Sequence, residues 1–499
     1  MTAVLRDRDH WSSLVERISP PTRAWIDGGW RAARDEATFD AVSPRDGRTI
    51  TAVARCDAAD VDAAVTAART AFEDDRWSGL APAERKVLMV RWAEAIDANA
   101  DELAALVSLE MGKPIADSRR IELRATRNTI AWFGEAADKV VDELPRVASD
   151  AVAMVTREPL GVVGAVVPWN FPLTMAAWKL GPSLATGNTV VLKPAEQSPL
   201  SALRLAELAS EAGIPDGVVN VVPGFGETAG QALGRHPGVD VVTFTGSTDV
   251  GRMFLRYAAD SNVKPVWLEL GGKTPLIVLA DAPDLDAAAA MAAWGIFFNT
   301  GQMCTAASRL LVQDRVADEV VSKIVEAARA RRIGDPLDPG TELGPLVDAT
   351  QRERVLGYVE RGTGEGATLA TGGKAALEET GGTFVEPTVF TGVRNDMTIA
   401  REEIFGPVLS VITFRDLDEA IALANDTPYG LAASLWTSDL STAHRASRAL
   451  RAGTVWVNCF EEGDLTVPFG GRKASGFGAD KSLHAMEKFT TLKTTWIQL

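Results

Sequence analysis

A thiol, a carboxylate and an amide, set far apart in this chain, are the side-chain types that chemistry at a carbonyl carbon needs. The thiol is Cys304, in the run Phe297-Phe298-Asn299-Thr300-Gly301-Gln302-Met303-Cys304-Thr305-Ala306. Small and polar neighbours such as Gly301 and Gln302 let backbone and substrate come close, whereas a packed cysteine more often sits inside an apolar run. On this stretch alone Cys304 is either a nucleophile or a packed thiol. The carboxylate is Glu269, in Glu269-Leu270-Gly271-Gly272-Lys273. At a seam between two domains it can lose part of its hydration and act as a general base. The amide is Asn170, in Pro168-Trp169-Asn170-Phe171-Pro172. It can donate to a developing oxyanion or cap a helix, and the two bracketing prolines favour a rigid presentation.

A second group of motifs has the character of a dinucleotide site. Lys193-Pro194-Ala195-Glu196 offers a cation and a carboxylate after a predicted strand. Glu196 could accept hydrogen bonds from ribose hydroxyls, or the two could form a solvated pair. Gly224-Phe225-Gly226-Glu227-Thr228-Ala229-Gly230 has Gly-x-Gly spacing, a weak signal by itself. Phe244-Thr245-Gly246-Ser247 is better placed, because a following helix points its N–H groups and dipole at a pyrophosphate. Glu403-Ile404-Phe405-Gly406-Pro407 brings a carboxylate and a ring into one turn, and Pro468-Phe469-Gly470-Gly471 is a tight turn late in the chain.

These residues need elements to hold them. Residues 1–57 read as an irregular entry and short strands, with a hairpin at Trp25–Trp30 turning on Gly28-Gly29. Helical spacing of apolar residues predicts helices over 57–74, from Pro82, over 101–111, and a long one from Pro114 to Val140. From Val162 short apolar runs alternate with helical patterns: 162–167, 189–192, 218–222, 239–244 and 265–270, with helices near 173–184, 200–212, 227–233 and 248–259. Buried strands alternating with helices predict a parallel sheet covered on both faces, with ligands beyond the carboxyl ends of the strands. Strand candidates at 276–279, 309–312, 408–414 and 454–457 suggest a second α/β domain. Gly362–Gly373 reads as a surface loop.

Composition narrows the function classes. At 499 residues the chain exceeds one ordinary core. A net charge of -16 argues against nucleic acid as a partner. Three cysteines do not suggest a disulfide framework. The N-terminal residues lack the apolar core of a signal peptide, and no run is long enough to span a membrane, so a cytoplasmic location is expected. No metal site is expected.

Taken in order, Pro-Trp-Asn-Phe-Pro, Lys-Pro-Ala-Glu, Phe-Thr-Gly-Ser, Glu-Leu-Gly-Gly-Lys, Gly-Gln-x-Cys, Glu-Ile-Phe-Gly-Pro and Pro-Phe-Gly-Gly resemble the aldehyde dehydrogenase superfamily. The likeness runs from about Trp25 to the C-terminus. It implies an α/β fold: a Rossmann-like NAD-binding domain (1–141 and 162–271), an α/β catalytic domain (272–474) and a small β oligomerisation arm (142–161 and 475–499). It also implies Cys304 as nucleophile, Glu269 as general base, and Asn170 with the Cys304 backbone N–H as oxyanion hole. Lys193 and Glu196 would hold the adenosine ribose, Ser247 the pyrophosphate, and Glu403 with Phe405 the nicotinamide ribose. Val167, Pro168, Trp169, Gly226, Phe244, Gly246, Val250, Leu270 and Gly271 would surround the dinucleotide. Glu196 would repel a 2′-phosphate, so NAD is the expected cofactor, with some NADP use tolerated. The implied reaction is aldehyde oxidation to the acid through a cysteine thiohemiacetal and thioester. The rival readings are a non-catalytic NAD-binding protein and an acylating enzyme that uses a thiol cofactor instead of water.

The run from Gly463 to Gly471, with Lys481–Phe489, is most like the γ-glutamyl-γ-aminobutyraldehyde (aminoaldehyde) dehydrogenase branch. Phe171, Trp178 and Phe469 match the aromatic wall of the family's substrate tunnel. Glu461, Glu462 and Asp464 would make its mouth acidic, with Gly463 leaving room, so an amino- or γ-glutamylamino-aldehyde is the expected substrate and polyamine catabolism the context. A broad aliphatic or aromatic specificity is the alternative. The arm, with a strand-like tail at 489–499, implies a homodimer or homotetramer.

Overall fold

The computed structural model describes residues 5–499. Two parallel-rich sheets organise it. In the first, Val219–Val221, Thr189–Lys193, Val162–Val166, Val241–Thr245 and Val266–Glu269 lie side by side in parallel. Most of their residues are valine, leucine, threonine or alanine, and nearly every position is buried, as a sheet covered on both faces requires. Antiparallel strands close both edges: the Ala24–Arg31 hairpin on one side and Gly476–Phe477 on the other. In the second sheet, Thr388–Thr391, Val408–Phe414, Arg309–Gln313, Pro275–Val278, Ala432–Trp436 and Thr454–Val457 run in parallel, with Thr368–Thr371 antiparallel at one edge. A separate ribbon pairs Ala151–Pro159 with Thr490–Gln498 in register from Thr490↔Pro159 to Gln498↔Ala151.

Several expectations need correction. The hairpin turns on Asp27-Gly28, not Gly28-Gly29. Both turn residues have positive φ (55° and 68°), the geometry a two-residue turn needs to match strand twist, and Gly29 already pairs with Ile26. The irregular entry contains a helix, Arg8–Arg17, capped by the Asp7 side chain and anchored by buried Trp11. Its polar sequence hides it. The long helix after Pro114 is broken by a wide π-type turn at Ser118–Glu122 and ends at Ala136. The helix expected from Glu227 begins as another such turn at Gly226–Gly230. Gly362–Gly373 is not one loop: a helix runs through Gly364, and Thr368–Thr371 forms the edge strand. The Ala432–Trp436 strand (Ala-Ala-Ser-Leu-Trp) lacks the β-branched residues that mark the other strands, yet it is wholly buried inside the second sheet.

The segment 475–499 divides. Gly476–Phe477 joins the first sheet, and only Thr490–Gln498 joins the ribbon, whose two strands pair within one chain. Among the described residues no helix is long and apolar enough to cross a membrane.

Candidate active site

The parallel strands of the first sheet deliver their functional residues at their carboxyl ends. Val162–Val166 leads to Pro168, Trp169 and Asn170. Val241–Thr245 leads to Gly246 and Ser247, and Val266–Glu269 ends on the carboxylate itself. Cys304 comes from the other side. It follows a helix, Leu285–Phe297, and a tight turn in which Asn299, Thr300 and Gly301 all have positive φ (49°, 56° and 70°). Such a backbone costs of order 1–2 kcal/mol per non-glycine residue, so neighbours must hold it. The Asn299 side chain donates to the carbonyls of Asn170 (3.0 Å) and Gln302 (3.2 Å), and the Thr300 hydroxyl donates to Gly344 O (3.0 Å). The Gln302 side chain accepts from Val347 N (2.9 Å). At Gly301 a Cβ would meet the Gly406 carbonyl oxygen at 2.1 Å, so only glycine fits.

Asn170 is locked into the same network. Its Nδ2 donates to the Gln302 carbonyl at 2.9 Å, and its own carbonyl accepts from buried Lys113 at 2.9 Å. Lys113 in turn pairs with buried Glu122, whose Oε1 accepts from Leu173 N (3.0 Å) at the start of the Pro172–Ala185 helix. A carboxylate there also satisfies the helix dipole.

The thiol lines two cavities. One, of about 260 Å³, is walled by Phe171, Trp178, Trp294, Trp456 and Phe469 and reaches Glu269 and Glu461. The other, of about 220 Å³, is bordered by Trp169, Gly246, Ser247, Gly271, Glu403 and Phe405. Burial pushes the Cys304 thiol pKa up, and the carboxylates of Glu461, Glu403 and Glu269 push it further. Glu269 is buried with neither oxygen hydrogen-bonded. Burial and the charge of Asp480 hold its pKa well above the usual range, while Lys179 and Lys488 pull it down. Both lysines pair with buried Asp480.

The second cavity is lined by groups that could hold part of a dinucleotide. A Cβ on Gly271 would lie 2.2 Å from the Glu403 carboxylate and one on Gly246 2.5 Å from the Phe244 ring, so only glycine lets the backbone pass this close to Glu403 and Phe244. Glu403 accepts from Gly272 N (2.9 Å), and burial raises its pKa to about 7. The Phe405 backbone is left-handed (φ 61°), and its ring meets Trp169 edge-on at 5.3 Å. Ser247 caps the Thr248–Ala259 helix by accepting from Val250 N (3.4 Å), which leaves its hydroxyl hydrogen free for a phosphate oxygen. Lys193 and Glu196 stand apart from this cavity, paired with each other at 3.1 Å, and Gly226 opens a turn with nothing near its missing Cβ.

The sequence model described as the Aldehyde dehydrogenase family matches residues 30–495. The chain belongs to that family. It is 51% identical over 498 residues to the aminoacetaldehyde dehydrogenase of Pseudomonas aeruginosa PAO1, covering 100% of this chain and 99% of that one. The crystal structure of γ-glutamyl-γ-aminobutyraldehyde dehydrogenase from Burkholderia cenocepacia J2315 superposes with TM-score 0.97 at 56% identity, over 99% of this chain and 100% of that one. A mutant of the P. syringae indole-3-acetaldehyde dehydrogenase AldA, in complex with NAD+ and IAA, superposes with TM-score 0.98 at 55% identity over the same shares.

For this aldehyde dehydrogenase the structure brings Cys304, Glu269 and Asn170 to one cleft between the two sheets, and Phe171, Trp178 and Phe469 to one cavity wall. Glu461 lines this cavity together with Glu462 and Gly463; Glu462, Gly463 and Asp464 are exposed, whereas Glu461 is only partly exposed and has one buried carboxylate oxygen. Lys481, not foreseen, reaches the mouth, where its Nζ lies 3.4 Å from the position of a Cβ on Gly463. Sequence reading also missed Lys113, Glu122, Lys179, Asp480 and Lys488. Lys179 carried a signal, since a lysine inside the apolar run Ala176-Ala177-Trp178-Lys179-Leu180 needs a buried partner. Glu122 carried none.

Proposed function

We propose that this aldehyde dehydrogenase oxidises an aminoaldehyde to the amino acid through Cys304, with NAD as the preferred acceptor. The observation that carries the reading is Glu461: a carboxylate with one buried, unpartnered oxygen, inside the aromatic cavity that also holds the thiol. An ammonium on the substrate would supply the missing partner.

The chain's residues divide the work. Cys304 adds as thiolate to the aldehyde carbon. The free amide hydrogen of Asn170 and the Cys304 backbone N–H hold the oxygen as it becomes anionic. Trp169, Gly246, Ser247, Gly271, Glu403 and Phe405 would hold the dinucleotide, with Val167, Pro168, Phe244, Val250 and Leu270 around it and Lys193 and Glu196 at the adenosine ribose. When bound, that group supplies a hydride acceptor. After loss of hydride the adduct is a thioester on Cys304. Glu269, ionised and without any hydrogen-bond partner of its own, takes a proton from the water that hydrolyses it. The catalytic unit is taken as 272–474, facing a cofactor unit of 1–141 and 162–271.

A second reading, oxidation of an arylacetaldehyde, is favoured by the aromatic wall: Trp294 stacks on Phe298 at 4.7 Å, and Trp178 meets Phe469 at 5.2 Å. Measuring kcat/KM for NADH formation with 3-aminopropanal, a γ-glutamylated aminoaldehyde, propanal and indole-3-acetaldehyde, with and without coenzyme A, separates the readings. Preference for either aminoaldehyde over propanal supports the first. Preference for indole-3-acetaldehyde selects the second, and dependence on coenzyme A removes water as the acyl acceptor.

The ribbon is proposed to join subunits into a dimer or tetramer. Leu492 and Trp496 on it are 61% and 57% exposed, and apolar side chains on a strand with an open edge invite pairing. Light scattering that shows a stable monomer at micromolar concentration would remove this assignment.

A further inference from the structure

Glu461 shares a cavity with the nucleophile: its carboxylate lines the same walls as Cys304 and Thr305, the residue next to the thiol. Its Oε1 is buried with no hydrogen-bond partner, and among the described residues it forms no salt bridge. The Glu461 backbone is left-handed (φ 58°). Burial raises the Glu461 pKa; Lys481 is the cation that works against this and favours the charged carboxylate, and Asp464 shares that cation. The thiol faces three carboxylates, Glu461, Glu403 and Glu269. Burial is the largest influence opposing its ionisation, and Glu461 is the strongest of these charges.

We propose that Glu461 is a receptor for a small primary alkylammonium ion, and that a cation docked there activates Cys304. A negative carboxylate beside the thiol opposes a second negative charge. An ammonium seated on Glu461 cancels that field, so the thiol gives its proton to water more readily and the thiolate fraction rises. No bond forms between ammonium and protein. A substrate that carries its own ammonium then brings the activator of its own nucleophile, while a neutral aldehyde meets a thiol that is still suppressed. Glu461 thereby discriminates through the rate of nucleophile formation as well as through affinity. The inference rests on the aminoaldehyde reading for its biological use, but its test needs no aldehyde.

The test is alkylation of Cys304 by neutral iodoacetamide at neutral pH in the whole enzyme, followed by mass spectrometry of the Cys304 peptide. That readout separates Cys304 from Cys56, which is buried, and from half-buried Cys459. Propylammonium chloride is titrated against sodium chloride at equal ionic strength, with 1-propanol as the neutral probe of similar shape. A saturable acceleration of about three- to tenfold by propylammonium, and none by 1-propanol, is the expected result, since a nearby charge shifts such a pKa by about one unit. Glu461→Gln should start faster by about the same factor and ignore the amine. No acceleration of the wild type, equal acceleration by 1-propanol, or an undiminished amine response in Glu461→Gln would each overturn the proposal. The wild-type comparison of propylammonium with 1-propanol stands even if the variant does not fold. If the aldehyde panel shows no preference for aminoaldehydes yet propylammonium still accelerates alkylation, the substrate reading fails and the receptor remains.

Discussion

Asn170 donates its side-chain amide to the carbonyl oxygen of Gln302 at 2.9 Å, which ties the turn after the first sheet to the loop that carries the thiol. The bond uses one amide hydrogen, fixes the side chain's rotamer and leaves the second hydrogen free. A donor fixed before the reaction costs no reorganisation when charge develops. Asn170→Ala should lower kcat by about 10²–10³-fold, the usual loss for an oxyanion donor, with little change in NAD affinity. The Gln302 carbonyl keeps a donor in Asn299, so the fold should survive. A variant with wild-type kcat would remove Asn170 from the oxyanion hole.

Cys304→Ala should abolish turnover and leave NAD binding intact, because in the proposed mechanism the thiol makes the covalent bond, and it borders the proposed cofactor cavity without filling it. Steady-state NADH production and quenching of tryptophan fluorescence by NAD report the two properties separately. Residual turnover above about a hundredth of wild type would mean that another group attacks the aldehyde.

The buried cluster around Glu269 gives a pH prediction with a definite sign. As the proposed base Glu269 works only when ionised, so kcat should fall as pH drops through its raised pKa. Lys488 favours the ionised form. Lys488→Met removes that cation and also uncovers part of the Asp480 charge, and both changes raise the Glu269 pKa. The acid limb of kcat should therefore move to higher pH by about one unit. Lys488→Arg should restore it. A lower Tm with an unmoved limb would make Lys488 a packing residue only.

The convergence of the three groups proposed to react was legible in the sequence because each sits in a local motif: Cys304 after Gly301, Glu269 at a strand end before two glycines, Asn170 between prolines. The strands of the first sheet were legible as apolar runs bounded by helical periodicity. The supports were not. Glu122, Lys113 and Asp480 act through partners many residues away, and nothing local in Ser-Arg-Arg-Ile-Glu announces a carboxylate that must be buried. Glu461 shows the same limit in another form. Its acidic neighbours suggested an open mouth, and nothing local announces that one of its carboxylate oxygens is buried.

The proposed cofactor site puts Glu196 at the adenosine ribose; its side chain is 34% exposed and held by the nearly buried Lys193. A carboxylate at the adenosine ribose accepts hydrogen bonds from the hydroxyls of NAD and repels the 2′-phosphate of NADP. Solvent softens the repulsion, so the preference should be moderate. Glu196→Gln should raise kcat/KM with NADP and lower it with NAD, changing the ratio by about tenfold, roughly the worth of one charge-assisted hydrogen bond. An unchanged ratio would place the 2′-hydroxyl elsewhere.

The buried pair Lys113–Glu122 couples stability to the site. Both side chains have no solvent exposure, and burial alone pulls the Lys113 pKa down while Glu122 pulls it back up. Lys113→Met strands a buried carboxylate and should cost about 3–5 kcal/mol, read as a large fall in the denaturation midpoint. It also takes a hydrogen bond from the Asn170 carbonyl, so folded enzyme should show a lower kcat with little change in KM. Replacing both partners by Lys113→Met and Glu122→Leu removes the stranded charge but leaves Leu173 N without its acceptor at the helix start. The double variant should therefore recover only part of the lost stability. Full recovery would mean that Glu122 serves Lys113 alone, and no loss in the single variant would mean that water reaches the pair.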